Sequence, residues 1–111
     1  MQVDSLLAIS KIDSSKVLSL TEAKNFINKI NNDSLKINSA LRLAHIFLMK
    51  QEMEKFREMN LKALSIRSIK NDSISYSLVT EYLGYFYQLS YKPDSAFYYY
   101  NKALRYNKRK N

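Results

Sequence analysis

Leu83-Gly84-Tyr85-Phe86-Tyr87, then Lys92-Pro93-Asp94-Ser95-Ala96, then Tyr100-Asn101-Lys102-Ala103-Leu104 read as a helix, a tight turn and a second helix folded back on the first. Large side chains recur along the first segment around a single glycine. Glycine in a helix interior costs about 1 kcal/mol relative to alanine, so its place there points to two helices passing close. Pro93 suits the first position of a helix, where no backbone N–H is needed. Ala96 and Ala103 mark the contact face of the second helix.

The composition agrees with an all-α reading. The chain has 111 residues, 46% hydrophobic and 25% charged, enough for one domain with a modest core. One glycine and one proline leave few breakers, which favours long helices over a sheet with tight turns. There is no cysteine, so disulfides and thiolate metal sites are excluded. No apolar run approaches the roughly 20 residues of a membrane span. Met1 to Ile12 has no basic stretch ahead of an apolar one, so no signal peptide is read there. A cytoplasmic location is the default expectation. An extracytoplasmic sensor domain is the alternative if a signal peptide has been removed.

Outward from the opening stretch, apolar residues recur at intervals of three or four. Six helices are expected in one domain over 1–111: 4–12, 15–31, 34–50, 52–70, 73–90 and 93–108. Asp13-Ser14-Ser15, Asn31-Asn32-Asp33-Ser34 and Asn71-Asp72-Ser73 supply turns and caps. Near Met49-Lys50-Gln51 no glycine or proline marks an end. A straight helix from Ser34 to Lys70 would run about 55 Å, and a break near residue 51 is preferred because the matching turn is visible one repeat later.

The chain repeats itself. Leu43-Ala44 recurs as Leu83-Gly84, Phe47 as Tyr87, and Lys62-Ala63-Leu64 as Lys102-Ala103-Leu104, with a period of about 40 residues. Ala23 falls in the same frame, and Asn32-Asp33-Ser34 is echoed by Asn71-Asp72-Ser73. Helix axes approach to about 8–10 Å only where side chains are small. Ala44 and Gly84 are therefore expected within hairpins, and Ala23, Ala63 and Ala103 between them. On this reading Gly84→Leu overpacks the crossing, whereas Gly84→Ala is mild because alanine stands at the equivalent position 44.

The spacing Leu83, Gly84, Tyr87, Ala96, Tyr100, Ala103 resembles a tetratricopeptide repeat, whose common period is 34 residues. The resemblance covers roughly Ser34 to Asn107 as two repeats, with a weaker pair before them. Phe56 departs from it where Ala96 stands in the second copy, and Asn60 where Tyr100 stands. The extra length lies between Leu64 and Ser73. The resemblance implies antiparallel helix hairpins stacked as a right-handed superhelix of about 2.5–3 repeats. It also implies a protein- or peptide-binding groove lined by the first helix of each pair. Carried onto this sequence, the groove residues are Asn38, Arg42, His45 and Met49, with Leu78, Glu81, Tyr82, Tyr85 and Gln88. The chain is similar to the roughly 40-residue-period modules that precede a signalling or DNA-binding part in larger bacterial sensors and regulators.

The chemistry-bearing residues point away from catalysis. His45 is the only histidine and has no cysteine or second histidine beside it in sequence. Glu52, Glu54 and Glu58 read as solvated helix surface rather than an acid–base pair, which needs a pocket. No glycine-rich phosphate loop or nucleophile motif is present. We read a non-enzyme with no cofactor and no metal. Net charge is +8, and Lys102, Arg105, Lys108, Arg109 and Lys110 close the chain without an acid. A nucleic-acid-binding module using this basic end is the alternative function, and a pure oligomerisation domain is a third. All nine tyrosines fall between Tyr76 and Tyr106. Phe97, Tyr98, Tyr99 and Tyr106 exceed one inner stripe on the last helix, so the expectation is either that the natural chain continues past Asn111 to cover it or that it is a self-association surface, with a homodimer through that helix strengthened by salt.

Overall fold

The computed structural model describes residues 19–110, with side chains to Tyr106. The described residues form five α-helices and one short 3₁₀ turn, with no strand. They are α1 (Leu20–Asn28), α2 (Asp33–Met49), α3 (Met53–Leu64), the 3₁₀ turn (Ile69–Asn71), α4 (Ser73–Leu89) and α5 (Pro93–Lys110). The all-α class follows directly. The helix expected over 4–12 lies outside the described residues. α2 packs on α3 and α4 on α5 as two hairpins, α3 and α4 join the hairpins, and α1 lies against α2 and α3.

The 40-residue period is written in the backbone. α2 and α4 start at Asp33 and Ser73, 40 residues apart, and end at Met49 and Leu89. Their N-caps are Asn32 and Asp72, whose side chains accept from Leu35 N (3.0 Å) and Ser75 N (3.1 Å). The apparent echo Asn32-Asp33-Ser34 to Asn71-Asp72-Ser73 was thus one residue out of frame. Asn and Asp both serve a cap because either offers a side-chain oxygen.

Both helices end alike. Gln51 and Tyr91 take left-handed φ values of 61° and 59°. Glu52 N donates to Phe47 O (2.9 Å) and Gln51 N to Leu48 O (3.0 Å). Lys92 N donates to Tyr87 O (2.9 Å) and Tyr91 N to Gln88 O (3.2 Å). This pair of bonds is the Schellman ending, which usually takes glycine at the left-handed residue. An L-residue there costs about 1–2 kcal/mol. Gln51 is exposed, so Gln51→Gly loses little packing. We expect it to stabilise the fold by about 1 kcal/mol after the extra chain entropy of glycine is deducted, as read from the urea midpoint.

Two expected helices are shorter than periodicity suggested. The helix expected over 52–70 stops at Leu64. Ser65 Oγ bonds to Lys62 O (2.6 Å), and the backbone continues in three-residue steps, Ile66 N to Ala63 O (3.1 Å) and Ile69 N to Ile66 O (3.0 Å). Ile66 and Ile69 are buried, so their spacing mimics a helical stripe while anchoring a loop. The helix expected over 15–31 starts at Leu20, because Ser19 is extended and forms a capping box with Glu22. It ends at Asn28, with Ile30 tucked under by a bond to Ile27 O (3.1 Å).

One core runs through the described helices, from Ala23 and Ile27 through Leu43 and Phe47 to Phe56, Met59, Val79 and Leu83. Ala44 and Ala63 are fully buried, Ala103 nearly so. Gly84 faces the Tyr100 ring: a Cβ built there would stand 2.7 Å from Cδ1 and Cε1 and 2.9 Å from Cγ. The expectation that alanine is mild at 84 therefore changes. The preceding hairpin has Ala44 in that frame, but it carries Asn60 in place of Tyr100.

Candidate functional site

α2 and α4 together line an open groove of about 520 Å³. Asn38, Leu41, Arg42 and His45 line it from α2, and Leu78 and Tyr82 from α4. Positions 38, 41, 42 and 45 share one helical face by the i, i+3, i+4, i+7 rule. Asn38, Arg42 and His45 are exposed, and Leu78 and Tyr82 half-buried. Tyr82 is held from behind by Phe56, ring edge to face at 5.2 Å and 61°. The groove thus has a polar, cationic wall and an apolar, aromatic wall.

Five of the nine residues carried over from the resemblance, Asn38, Arg42, His45, Leu78 and Tyr82, meet at this groove. The others do not line it. Met49 is 69% exposed beyond it at the end of α2. Gln88 accepts from the Tyr100 hydroxyl (2.9 Å) on the side of α4 that faces α5. Glu81 and Tyr85 lie near Tyr100, where together with burial, the largest cause, they hold its hydroxyl pKa above the usual tyrosine range. Helical spacing placed all nine on α2 and α4, but it did not divide α4 between a face toward α2 and a face toward α5. Leu41 completes the groove, and its apolar character hid it among core residues in the sequence.

The aromatic surface expected on the last helix divides as well. Tyr99 stacks on Tyr87 with ring centroids 5.6 Å apart and an interplanar angle of 5°. Burial first, then Tyr87 and Tyr98, push its pKa up. Tyr106 lies against Tyr76 (4.5 Å) and its hydroxyl donates to Lys70 O. Both are half-buried within their own chain. Each stands one helical turn from Ala103, on the stripe that packs against α4. Phe97 is 70% and Tyr98 54% exposed, and the Lys102 ammonium lies over the Tyr98 ring at 4.8 Å.

The carboxylates are engaged by cations. Glu52 pairs with Lys55 (2.7 Å), Glu54 with Arg57 (2.9 Å), and Glu58 with both Arg57 (3.2 Å) and Lys24 (2.9 Å). The Lys24 hydrogen bond is the main cause that holds the Glu58 carboxyl below its usual pKa. This pair ties α1 to α3, a structural role. Among the described residues no group of three or more His, Cys, Asp or Glu could hold a metal ion, and no helix is long and apolar enough to cross a membrane.

A second cleft, of about 410 Å³, lies at the end of the bundle where α2 begins and α3 ends. Lys36, Lys62 and Arg67 line it with Asp33, Ser65 and Ile66. Asp33 accepts from Ser68 Oγ (3.3 Å), and Lys62 Nζ donates to Asn28 Oδ1. The sequence did not bring these cations together, because the loop after Leu64 returns to α2 only in three dimensions.

No family model, no curated protein and no solved structure matches this chain.

Proposed function

We propose that the chain is a tetratricopeptide-like, non-catalytic scaffold that binds a protein or peptide segment along the α2–α4 groove, as part of a larger bacterial regulatory or sensor protein. The observation that carries this is the groove itself. Six side chains from α2 and α4 converge on about 520 Å³, polar on one wall and aromatic on the other. Such a surface suits a segment that offers an apolar side chain to Leu78 and Tyr82 and acceptors to Asn38 and Arg42. The repeat of caps and endings at 40 residues supports stacking of the hairpins as a superhelix.

The test is selection of peptides from a displayed library on the purified chain, followed by affinities for Arg42→Ala with His45→Ala. Both side chains are exposed, so the helical circular dichroism should not change. Losing two contacts at the centre of a small interface should weaken binding by tenfold or more, since hot-spot truncations exceed about 1–2 kcal/mol. Equal affinities for the double variant would reject the groove.

The basic cleft favours a second reading, a nucleic-acid-binding module that grips phosphates with Lys36, Lys62 and Arg67. RNA binding that falls steeply with salt, with a slope reduced by Lys36→Ala and Arg67→Ala, would select it. Binding insensitive to those changes would set it aside.

A further inference from the structure

The basic cleft at the end of the bundle carries positive charge that its own lining does not neutralise. Lys36 comes from α2, Lys62 from the last turn of α3 and Arg67 from the loop that follows. Lys36 and Lys62 are half-buried and Arg67 is exposed. Lys62 is fixed by Asn28 at the end of α1, a neutral acceptor that leaves the charge uncompensated. Among the described residues no carboxylate pairs with Lys36 or Arg67. Other acids are committed: Glu22 and Asp72 cap helices, and Glu52, Glu54 and Glu58 hold Lys55, Arg57 and Lys24. Taking a charge out of water without a partner is costly. A half-buried, unpaired Lys36 that shares a cleft with two further cations is a place prepared for an anion.

The lining also says which anion. Three cations and one carboxylate leave two positive charges. That matches a phosphate monoester, which carries about −1.5 to −2 at neutral pH. Arg67 offers a planar fork of N–H donors that fits two phosphate oxygens, and the lysines add point charges. Asp33 accepts from Ser68 Oγ at 3.3 Å through one oxygen, which leaves the other free to accept. An ionised carboxylate donates nothing, so Asp33 repels a second phosphate and takes a hydroxyl. No aromatic side chain lines the cleft, so it has no platform for stacked bases. About 410 Å³ leaves room for a phosphate and the compact group that carries it.

We propose that this cleft binds the phosphate monoester of a small polyol or sugar. The phosphate rests on Lys36, Lys62 and Arg67, and a hydroxyl of the same molecule donates to Asp33. The site is separate from the α2–α4 groove, because Lys36 stands two positions from Asn38 and so lies on the other side of α2. The inference does not rest on peptide binding in that groove. It sets a small monoester against nucleic acid as the occupant of the same cations.

The experiment titrates the ¹⁵N-labelled full chain at neutral pH and low salt with glycerophosphate, glycerol, inorganic phosphate and a single-stranded RNA oligomer. Glycerophosphate should give saturable shifts at the amides of Lys36, Ser65, Ile66 and Arg67, and glycerol none. Inorganic phosphate, which lacks the hydroxyl arm, should bind about threefold more weakly or worse. Arg67→Gln, at an exposed position that leaves the circular dichroism intact, should weaken glycerophosphate about tenfold. Asp33→Asn should tighten inorganic phosphate, since a like charge is gone, and narrow the preference for glycerophosphate. No saturable shifts at those amides would overturn the proposal, the result expected if a carboxylate of residues 1–18 or of a second copy fills the cleft. Equal affinity for glycerophosphate and inorganic phosphate in the wild-type chain, or undiminished binding to Arg67→Gln, would overturn it too. So would RNA that binds more tightly per phosphate than glycerophosphate, which would give the cleft to a nucleic acid.

Discussion

Gly84→Ala should destabilise the chain by about 1 kcal/mol, although alanine is the better helix former. Helix propensity favours Ala by about 1 kcal/mol. Against it, the new Cβ would stand 2.7–2.9 Å from three atoms of the Tyr100 ring, including Cγ at the near end. The ring must shift as a body, and its hydroxyl is held by Gln88 at 2.9 Å. Overpacking of this kind costs about 1–3 kcal/mol, so the steric term wins. Gly84→Leu adds three more carbons at the same crossing and should cost about 3 kcal/mol. The sign of the alanine effect should reverse once the ring is gone: in a Tyr100→Ala background, Gly84→Ala should stabilise by about 1 kcal/mol. Urea unfolding of the four chains gives the coupling energy. The same sign in both backgrounds would show that the Tyr100 ring does not set the glycine requirement.

This pair also explains why part of the fold was legible and part was not. The sequence shows Ala44 and Gly84 in one frame, and with them the hairpin crossings. It does not show that glycine at 84 answers to the Tyr100 ring on the partner helix, where the preceding hairpin carries the shorter Asn60. Periodicity reports which residues turn inward, not what they meet. Pro93 marked the start of α5 correctly because its ring fixes φ locally. The end of α2 carried no such mark. Its left-handed position is filled by Gln51, a residue that pays a conformational cost where glycine would not. The buried pair Ile66 and Ile69 extended the apparent stripe of α3 for a related reason: a loop that returns to the core every third residue looks helical in sequence.

The groove was legible to the same degree. Asn38, Arg42 and His45 share a helical face, and Leu78 and Tyr82 share another, so each half can be read locally. Their meeting depends on how α2 and α4 sit on α3, which the sequence encodes only through core residues such as Phe56. The basic cleft was not legible at all, because Lys36 and Arg67 are neighbours only through the loop between Leu64 and Ser73.

Phe56→Ala should be the most damaging single truncation near the groove, and it should act on both stability and binding. Phe56 is fully buried, and removing a buried aromatic ring costs about 3–5 kcal/mol. That is a large part of the roughly 5–15 kcal/mol that holds a domain of this size. The same ring supports Tyr82 from behind at 5.2 Å, an edge-to-face contact that adds about 0.5–1.5 kcal/mol beyond the buried area. Without it Tyr82 loses the surface that fixes its rotamer, and the aromatic wall of the groove loosens. Phe56→Leu keeps most of the volume and should cost about 1–2 kcal/mol, with a smaller effect on the groove. The check is to measure urea stability and peptide affinity on the same samples, with affinity corrected for the folded fraction. The expected order is wild type, Phe56→Leu, Phe56→Ala in both readouts. Stability that falls while corrected affinity stays constant would show that α4 alone positions Tyr82, and that α3 supports the fold without shaping the groove.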